Sequence, residues 1–247
     1  MTMKELGFRL LNETNLLYED KPHYFKNLLP EASEMVTWND VEHCFNRPEL
    51  YNFEMIGPDN LKIEIPMNKK AWVFSKPVQD KAFMFENINK GNGFVIMDYA
   101  FYSEKTIELM RTLENIYMVN SCIHVYGGLE GSKSFWIHED YPSNFIFQAW
   151  GKTRWKVFNN RISTMYRTGT MNHQLTEDML DLAFDVVLEP GDAIYIPSRM
   201  YHIAYPMGPR LSMSVPCWTK LPTDEPKESS DRNWYKINHE SIQTNND

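Results

Sequence analysis

The chain has 247 residues, 43% hydrophobic and 14% aromatic, enough for one large domain around a sizeable core, which excludes a disordered or fibrous protein. Its 25 Lys and Arg against 33 Asp and Glu leave a net charge of −8, so a partner coated in phosphate is not expected and nucleic acid is an unlikely substrate, although a local basic groove is not excluded. Cys44, Cys122 and Cys217 are odd in number and show neither disulfide nor zinc-ligand spacing. With no apolar leader after Met1 and no run near the ~20 apolar residues of a membrane span, they indicate a soluble, cytoplasmic protein with no membrane partner.

In chain order, Leu6, Leu10 and Leu11, continued by Leu16 and Leu17, trace a helical stripe, and Val36 to Phe45 forms a second short helix after Pro30. These belong to a mixed helical and extended region, residues 1–90, expected to pack on the core. Gly91-Asn92-Gly93 is a turn, followed by the buried strand Phe94 to Met97. Ser103 caps a helix that shows Ile107, Met110, Leu113 and Ile116 on one face. Cys122 to Tyr126 reads as a strand before the Gly127-Gly128 loop. Beyond it, Phe135–His138, Asn144–Trp150, Arg154–Phe158, Val186–Leu188, Ala193–Ile196, His202–Ala204 and Leu211–Val215 are short β-type segments. Residues 91–220 therefore read as an all-β sandwich or barrel, and residues 221–247 as a polar tail with a short helical segment near Trp234.

One constellation carries chemistry. His138 and Asp140 lie two apart on a predicted strand, so both project to one face while Glu139 points away. An isolated His-x-Asp is more often surface hydrogen bonding than a metal site. Here, however, Glu189-Pro190-Gly191-Asp192 predicts a type II turn into the apolar strand Ala193 to Ile196, and Pro197-Ser198 bends the chain again before Tyr201-His202. Two neutral imidazoles and one carboxylate make the facial triad of non-haem Fe(II) oxygenases.

The two blocks, His138-Glu139-Asp140-Tyr141-Pro142-Ser143-Asn144 running on to Gly151-Lys152-Thr153-Arg154-Trp155, and Glu189 to Pro197 with Tyr201-His202, resemble the cupin-like JmjC hydroxylases. The resemblance covers about half the chain, from Gly91 to Trp218. It implies a mainly β fold with flanking helices around a double-stranded β-helix, the jelly-roll or cupin-like core. It also implies Fe(II) as the metal, with 2-oxoglutarate and O2 as co-substrates. By position, His138, Asp140 and His202 would be the iron ligands. Asn144 falls where family members place an Asn beside metal and co-substrate, a strand-end Asn being the alternative, and Tyr126 where a Tyr approaches the co-substrate, a core Tyr being the alternative.

Thr153 stands where many members carry the basic residue that pairs with the far carboxylate of 2-oxoglutarate. Thr153 supplies one hydroxyl donor, and Arg210 is the substitute for the base, offering a planar fork with Ser212 two along the same strand face. The alternative for Arg210 is a solvent-facing residue at a strand entrance. Lys152 and Arg154, one residue out of register, would face the other way. Phe135, Trp136, Trp150, Trp155 and Trp218 read mostly as core and rim packing, one or two of them lining a substrate entrance being the alternative. The implied reaction hydroxylates a protein side chain or a small molecule with release of succinate and CO2. Two rivals remain: a metal-dependent cupin enzyme that does not use 2-oxoglutarate, kept open by Thr153, and a non-catalytic binding module on the same fold. The sequence leaves open whether the N-terminal region and tail cover the pocket, form a homodimer or recruit a partner.

Overall fold

The computed structural model describes residues 2–13, 21–68, 77–161 and 175–219. Leu16, Leu17 and the tail with Trp234 lie outside them. In chain order the elements are α1 (Met3–Glu13), β1 (His23–Phe25), α2 (Ala32–Met35), α3 (Trp38–Phe45), β2 (Asn52–Ile56), β3 (Lys62–Ile63), β4 (Met67–Asn68), β5 (Val78–Gln79), α4 (Lys81–Asn89), β6 (Gly93–Met97), α5 (Glu104–Tyr117), β7 (Val119–Ser121), β8 (His124–Gly128), β9 (Ser143–Trp150), β10 (Thr153–Arg161), β11 (Leu182–Leu188), β12 (Ala193–Ile196), β13 (Met200–Pro206) and β14 (Arg210–Thr219). None of the described helices is long and apolar enough to cross a membrane.

The strands form a large antiparallel sheet in the order β1-β12-β9-β14-β8-β6-β2-β3, with β7 also on β14, and a small sheet in the order β11-β10-β13. From β9 onward the chain passes between the two, which is the winding of a double-stranded β-helix. Alternation along β14 explains its place. Leu211, Met213 and Val215 are fully buried in the main core beneath the helices, each contributing roughly 1.5–3 kcal/mol by its burial. The intervening Arg210, Ser212 and Ser214 face the other way, between the sheets. β9 repeats the pattern: Phe145 and Phe147 join the helix-side core, while Ile146 packs with Trp155, Val157, Ile194, Ile196 and Met200 in a second cluster between the sheets.

Local chemistry fixes the corners. Ser103 caps α5 with a reciprocal box to Thr106, and Thr37 does the same for α3 with Asp40. Gly191 has φ +94°, and the Asp192 N–H donates to the Glu189 carbonyl at 2.9 Å, as a type II turn requires. Gly151, between β9 and β10, has φ +65°, and a Cβ there would lie 2.0 Å from the Pro209 carbonyl oxygen, so only glycine lets the strand cross. Asp192 is buried and its carboxylate accepts from Tyr24 Oη, Lys26 Nζ, the Asn27 N–H and the Glu189 N–H, which ties the N-terminal region to this turn.

One predicted strand is corrected. Phe135–His138 is an extended segment without a ladder, joined to β13 only by a bridge between His138 and His202. An alternating apolar pattern records a buried face, whereas a strand also needs a partner along its length.

Candidate active site

That single bridge brings two predicted ligands together. His138 and His202 exchange both backbone hydrogen bonds, at 3.2 and 2.9 Å, and their rings lie 4.3 Å apart. Asp140 follows on the same face, with Oδ2 3.6 Å from His202 Nε2. The ligand atoms of His138, Asp140 and His202 all lie within 4.8 Å of one another. His138 Nδ1 is 2.6 Å from the Trp136 carbonyl and His202 Nδ1 is 2.9 Å from the Met200 carbonyl. A carbonyl only accepts, so each Nδ1 carries the hydrogen and each Nε2 keeps its lone pair for the centre, the arrangement of metal-binding histidines.

The electrostatics agree for His138 and Asp140, while His202 is drawn toward protonation by the neighbouring carboxylate. Burial pushes His138 down to about 4, with His202 adding to the effect, so His138 is neutral. Burial also opposes protonation of His202, but Asp140 outweighs it and raises that histidine. Burial disfavours the Asp140 carboxylate, yet His202, His138 and Asn144 hold its pKa down at about 2. Asn144 Nδ2 donates to Asp140 Oδ2 at 2.7 Å, and Ser214 Oγ donates to Asn144 Oδ1 at 3.2 Å. Glu139 points away, as expected, into a buried ion pair with Arg199 at 3.1 Å.

Beside the triad is an inner cup lined by Tyr126, Ser134, Phe135, Ile146, Trp155, Arg210, Ser212 and Ser214. Arg210 is 1% exposed, so the solvent-facing alternative does not hold. Among the described residues no carboxylate pairs with it: its Nη1 contacts only Ser212 Oγ, at 3.4 Å, and its Nε has no partner. Burial pushes its guanidinium down to about 10, which leaves it charged near neutral pH. Burial also holds the Tyr126 phenol well above its ordinary range, leaving a hydroxyl donor on the wall.

Three of the expected co-substrate residues take the following places. Ser212 spends its hydrogen on Gln148 Oε1 at 2.9 Å, so it positions Arg210 instead of donating to a ligand. Asn144 grips the ligand carboxylate of Asp140. Thr153 is buried with an unpartnered hydroxyl but does not line the cup; Trp155, two residues on along the same strand face, does. Lys152 and Arg154 are spent outside on Glu189 and Asp185. Sequence reasoning missed Gln148, Ser214 and the Glu139–Arg199 pair; the Arg-x-Ser-x-Ser alternation of β14 was the readable sign that polar groups face inward there.

The cup opens past His138 and Asp140 into an outer groove of about 280 Å³ whose walls include Glu54, Lys62, His124, Tyr141 and Trp218. Near it, Asp98, Cys122 and His124 cluster, but His124 Nδ1 accepts from the Asp98 N–H, so in the neutral ring Nε2 carries its hydrogen toward Cys122 Sγ and offers no lone pair to a metal.

Residues 98–224, just over half of the chain, match the JmjC domain. The chain belongs to the JmjC domain family. The bifunctional lysine-specific demethylase and histidyl-hydroxylase NO66 of Aedes aegypti is 23% identical to this JmjC chain over 221 residues, 83% of the chain and 32% of that protein. The probable ribosomal oxygenase of Haemophilus influenzae is 34% identical over 65 residues, 26% of this chain and 16% of that protein. The structure of YcfD, a ribosomal oxygenase from Escherichia coli in complex with cobalt and 2-oxoglutarate, superposes with a TM-score of 0.63 over 95% of this chain and 57% of that one, at 15% identity, which shows the common fold. This JmjC chain thus spans about a third of the NO66 relative.

Proposed function

We propose that this chain is an Fe(II)- and 2-oxoglutarate-dependent oxygenase that hydroxylates a substrate presented through the outer groove. The observation that carries the reading is Arg210: a buried guanidinium without an acid partner, in the same cup as a His-Asp-His set. An unpaired buried charge costs several kcal/mol, and the far carboxylate of 2-oxoglutarate is the anion that relieves it. The metal set fits Fe(II) by donor chemistry, two Nε2 lone pairs and one carboxylate oxygen within 4.8 Å of one another. When bound, Fe(II) with O2 would supply the oxidation: 2-oxoglutarate loses CO2 and takes one oxygen atom to become succinate, and the other oxygen atom enters a C–H bond of the substrate.

The protein's residues supply position and exclusion. Asn144 holds Asp140 and the two carbonyls hold the imidazoles, while Arg210, steadied by Ser212, anchors the co-substrate. Phe135, Ile146 and Trp155 keep water from the cup. Only about 20 Å³ is open inside it, room for one water-sized group. Tyr126 and Phe135 line both the cup and the groove. The groove admits one side chain or small molecule, and the naming of NO66 for histidyl hydroxylation favours a protein substrate. We assign catalysis to residues 91–220, and the free cysteines Cys44, Cys122 and Cys217 favour the reducing cytoplasm.

The test is an anaerobic titration of the Fe(II)-loaded protein with 2-oxoglutarate, following the visible charge-transfer band in the wild type, His202→Ala and Arg210→Ala. The expected result is a band in the wild type, no band without His202 and much weaker affinity without Arg210. Tight iron binding with no band would favour a cupin enzyme of other chemistry, and no iron binding would favour a binding module.

A further inference from the structure

We infer that the indole N–H of Trp155 is a second donor to the far carboxylate of the co-substrate, sharing it with Arg210. This rests on the reading of the cup as the 2-oxoglutarate site. Trp155 is 7% exposed and its Nε1 has no hydrogen-bond partner, although buried indole N–H groups ordinarily find one. Two less buried tryptophans of this chain, which could turn to water, still donate within the protein: half-buried Trp136 Nε1 to the Leu175 carbonyl at 3.1 Å and exposed Trp150 Nε1 to the Ser33 carbonyl at 3.2 Å. Trp155 differs in lining the cup, where its ring lies 6.0 Å from that of His202.

The placement has a cause in the strand register. Trp155 sits opposite Ala204 and His202 opposite Val157 in the small sheet, so both project inward from that sheet, while Arg210 and Ser212 project from β14 of the large sheet. A carboxylate beside Arg210 offers about four lone-pair directions. Ser212 is occupied with Gln148 and Ser214 with Asn144, so the donors left to meet those directions are the guanidinium, the Tyr126 hydroxyl from the large sheet and, from the small sheet, the indole. Thr153, one pleat earlier on the same face, does not line the cup, so the donor contributed by this strand moves from position 153 to 155.

The probe is 2-oxoglutarate itself, with 2-oxobutanoate, which has the same chelating end and no far carboxylate, as the control at matched occupancy. In the full chain loaded with Zn(II) and labelled with ¹⁵N, one indole cross-peak, identified by its loss in Trp155→Phe, should move on adding 2-oxoglutarate and stay with 2-oxobutanoate. In the anaerobic Fe(II) titration, Trp155→Phe should bind 2-oxoglutarate roughly tenfold more weakly while binding iron as the wild type does. Unchanged 2-oxoglutarate affinity in Trp155→Phe, or an indole peak that moves equally with both acids, would leave Trp155 as packing and overturn the inference while the wild-type band still upholds the site. Should Trp155→Phe not fold, the wild-type spectrum decides, since no indole peak selective for 2-oxoglutarate also overturns it. A wild type that binds no 2-oxoglutarate removes both readings together.

Discussion

Asp140 is held at the end of a short relay in which Ser214 donates to Asn144 and Asn144 donates to the carboxylate. Removing such an outer partner typically weakens metal binding 10–100-fold. Asn144→Ala should therefore lower Co(II) or Fe(II) affinity by about that factor in a competition titration with a chelator, with little change in thermal stability. Equal metal affinity would mean that Asp140 is oriented by its backbone alone. Behind the site, Glu139 and Arg199 form a pair in which Glu139 is 1% and Arg199 9% exposed by side chain, while the Arg199 guanidinium also stacks on Tyr141 and the Arg199 backbone N–H donates to the Asp140 carbonyl. Glu139→Gln keeps the shape and removes the charge, stranding Arg199. It should cost about 3–5 kcal/mol in urea unfolding, and a loss under 1 kcal/mol would show that Arg199 reaches water.

The elements separate stability from binding by alternation. Met213 and Ser212 are neighbours on β14, yet Met213 faces the helix-side core and Ser212 faces the cup. Met213→Ala should cost about 2–5 kcal/mol by leaving a cavity with 2-oxoglutarate affinity retained in the folded fraction. Ser212→Ala should do the reverse, loosening Arg210 and weakening co-substrate affinity at nearly unchanged unfolding midpoint. If both variants lost affinity equally, the two faces of the strand would be coupled. Local signals carried this element well. The Pro190-Gly191 turn and the uniform apolar run placed Ala193–Ile196 with its observed bounds, and Ser103 placed the start of α5. The triad was legible too, because His-x-Asp and the later His each sit beside readable turns. What the sequence could not show was pairing: the bridge from His138 to His202, the Gln148 partner of Ser212 and the inward face of Trp155 all depend on strands far apart in the chain. Thr153 stands where the family carries a base, and its hydroxyl donor belongs to a buried residue on the same strand face as Trp155, which lines the cup.

At the scale of the whole molecule, the N-terminal region is fastened to the core by charge as well as by β1. Lys26 lies 2.9 Å from Glu189 and 3.2 Å from Asp192, and Lys152 lies 2.7 Å from the other oxygen of Glu189. Lys152 first, then Lys26, holds the Glu189 carboxyl down at about 2, against its ordinary 4.5. A carboxylate with a depressed folded pKa adds stability that is present above the unfolded value and lost as pH falls toward the folded one. The stabilisation from Glu189 should therefore fade between about pH 4.5 and pH 2, and because the group is exposed it should also shrink with added salt. Glu189→Gln should flatten that part of the acid limb and reduce the salt dependence of the unfolding midpoint at pH 6. Buried Asp192, which holds β1 through Tyr24 and the Asn27 N–H, would keep the region docked in the variant. Urea midpoints at pH 3, 4 and 6, with low and high salt, decide the matter: identical acid limbs for wild type and variant would show that the lysines are solvated and that β1 and Asp192 fasten the N-terminal region to the sheet without Glu189.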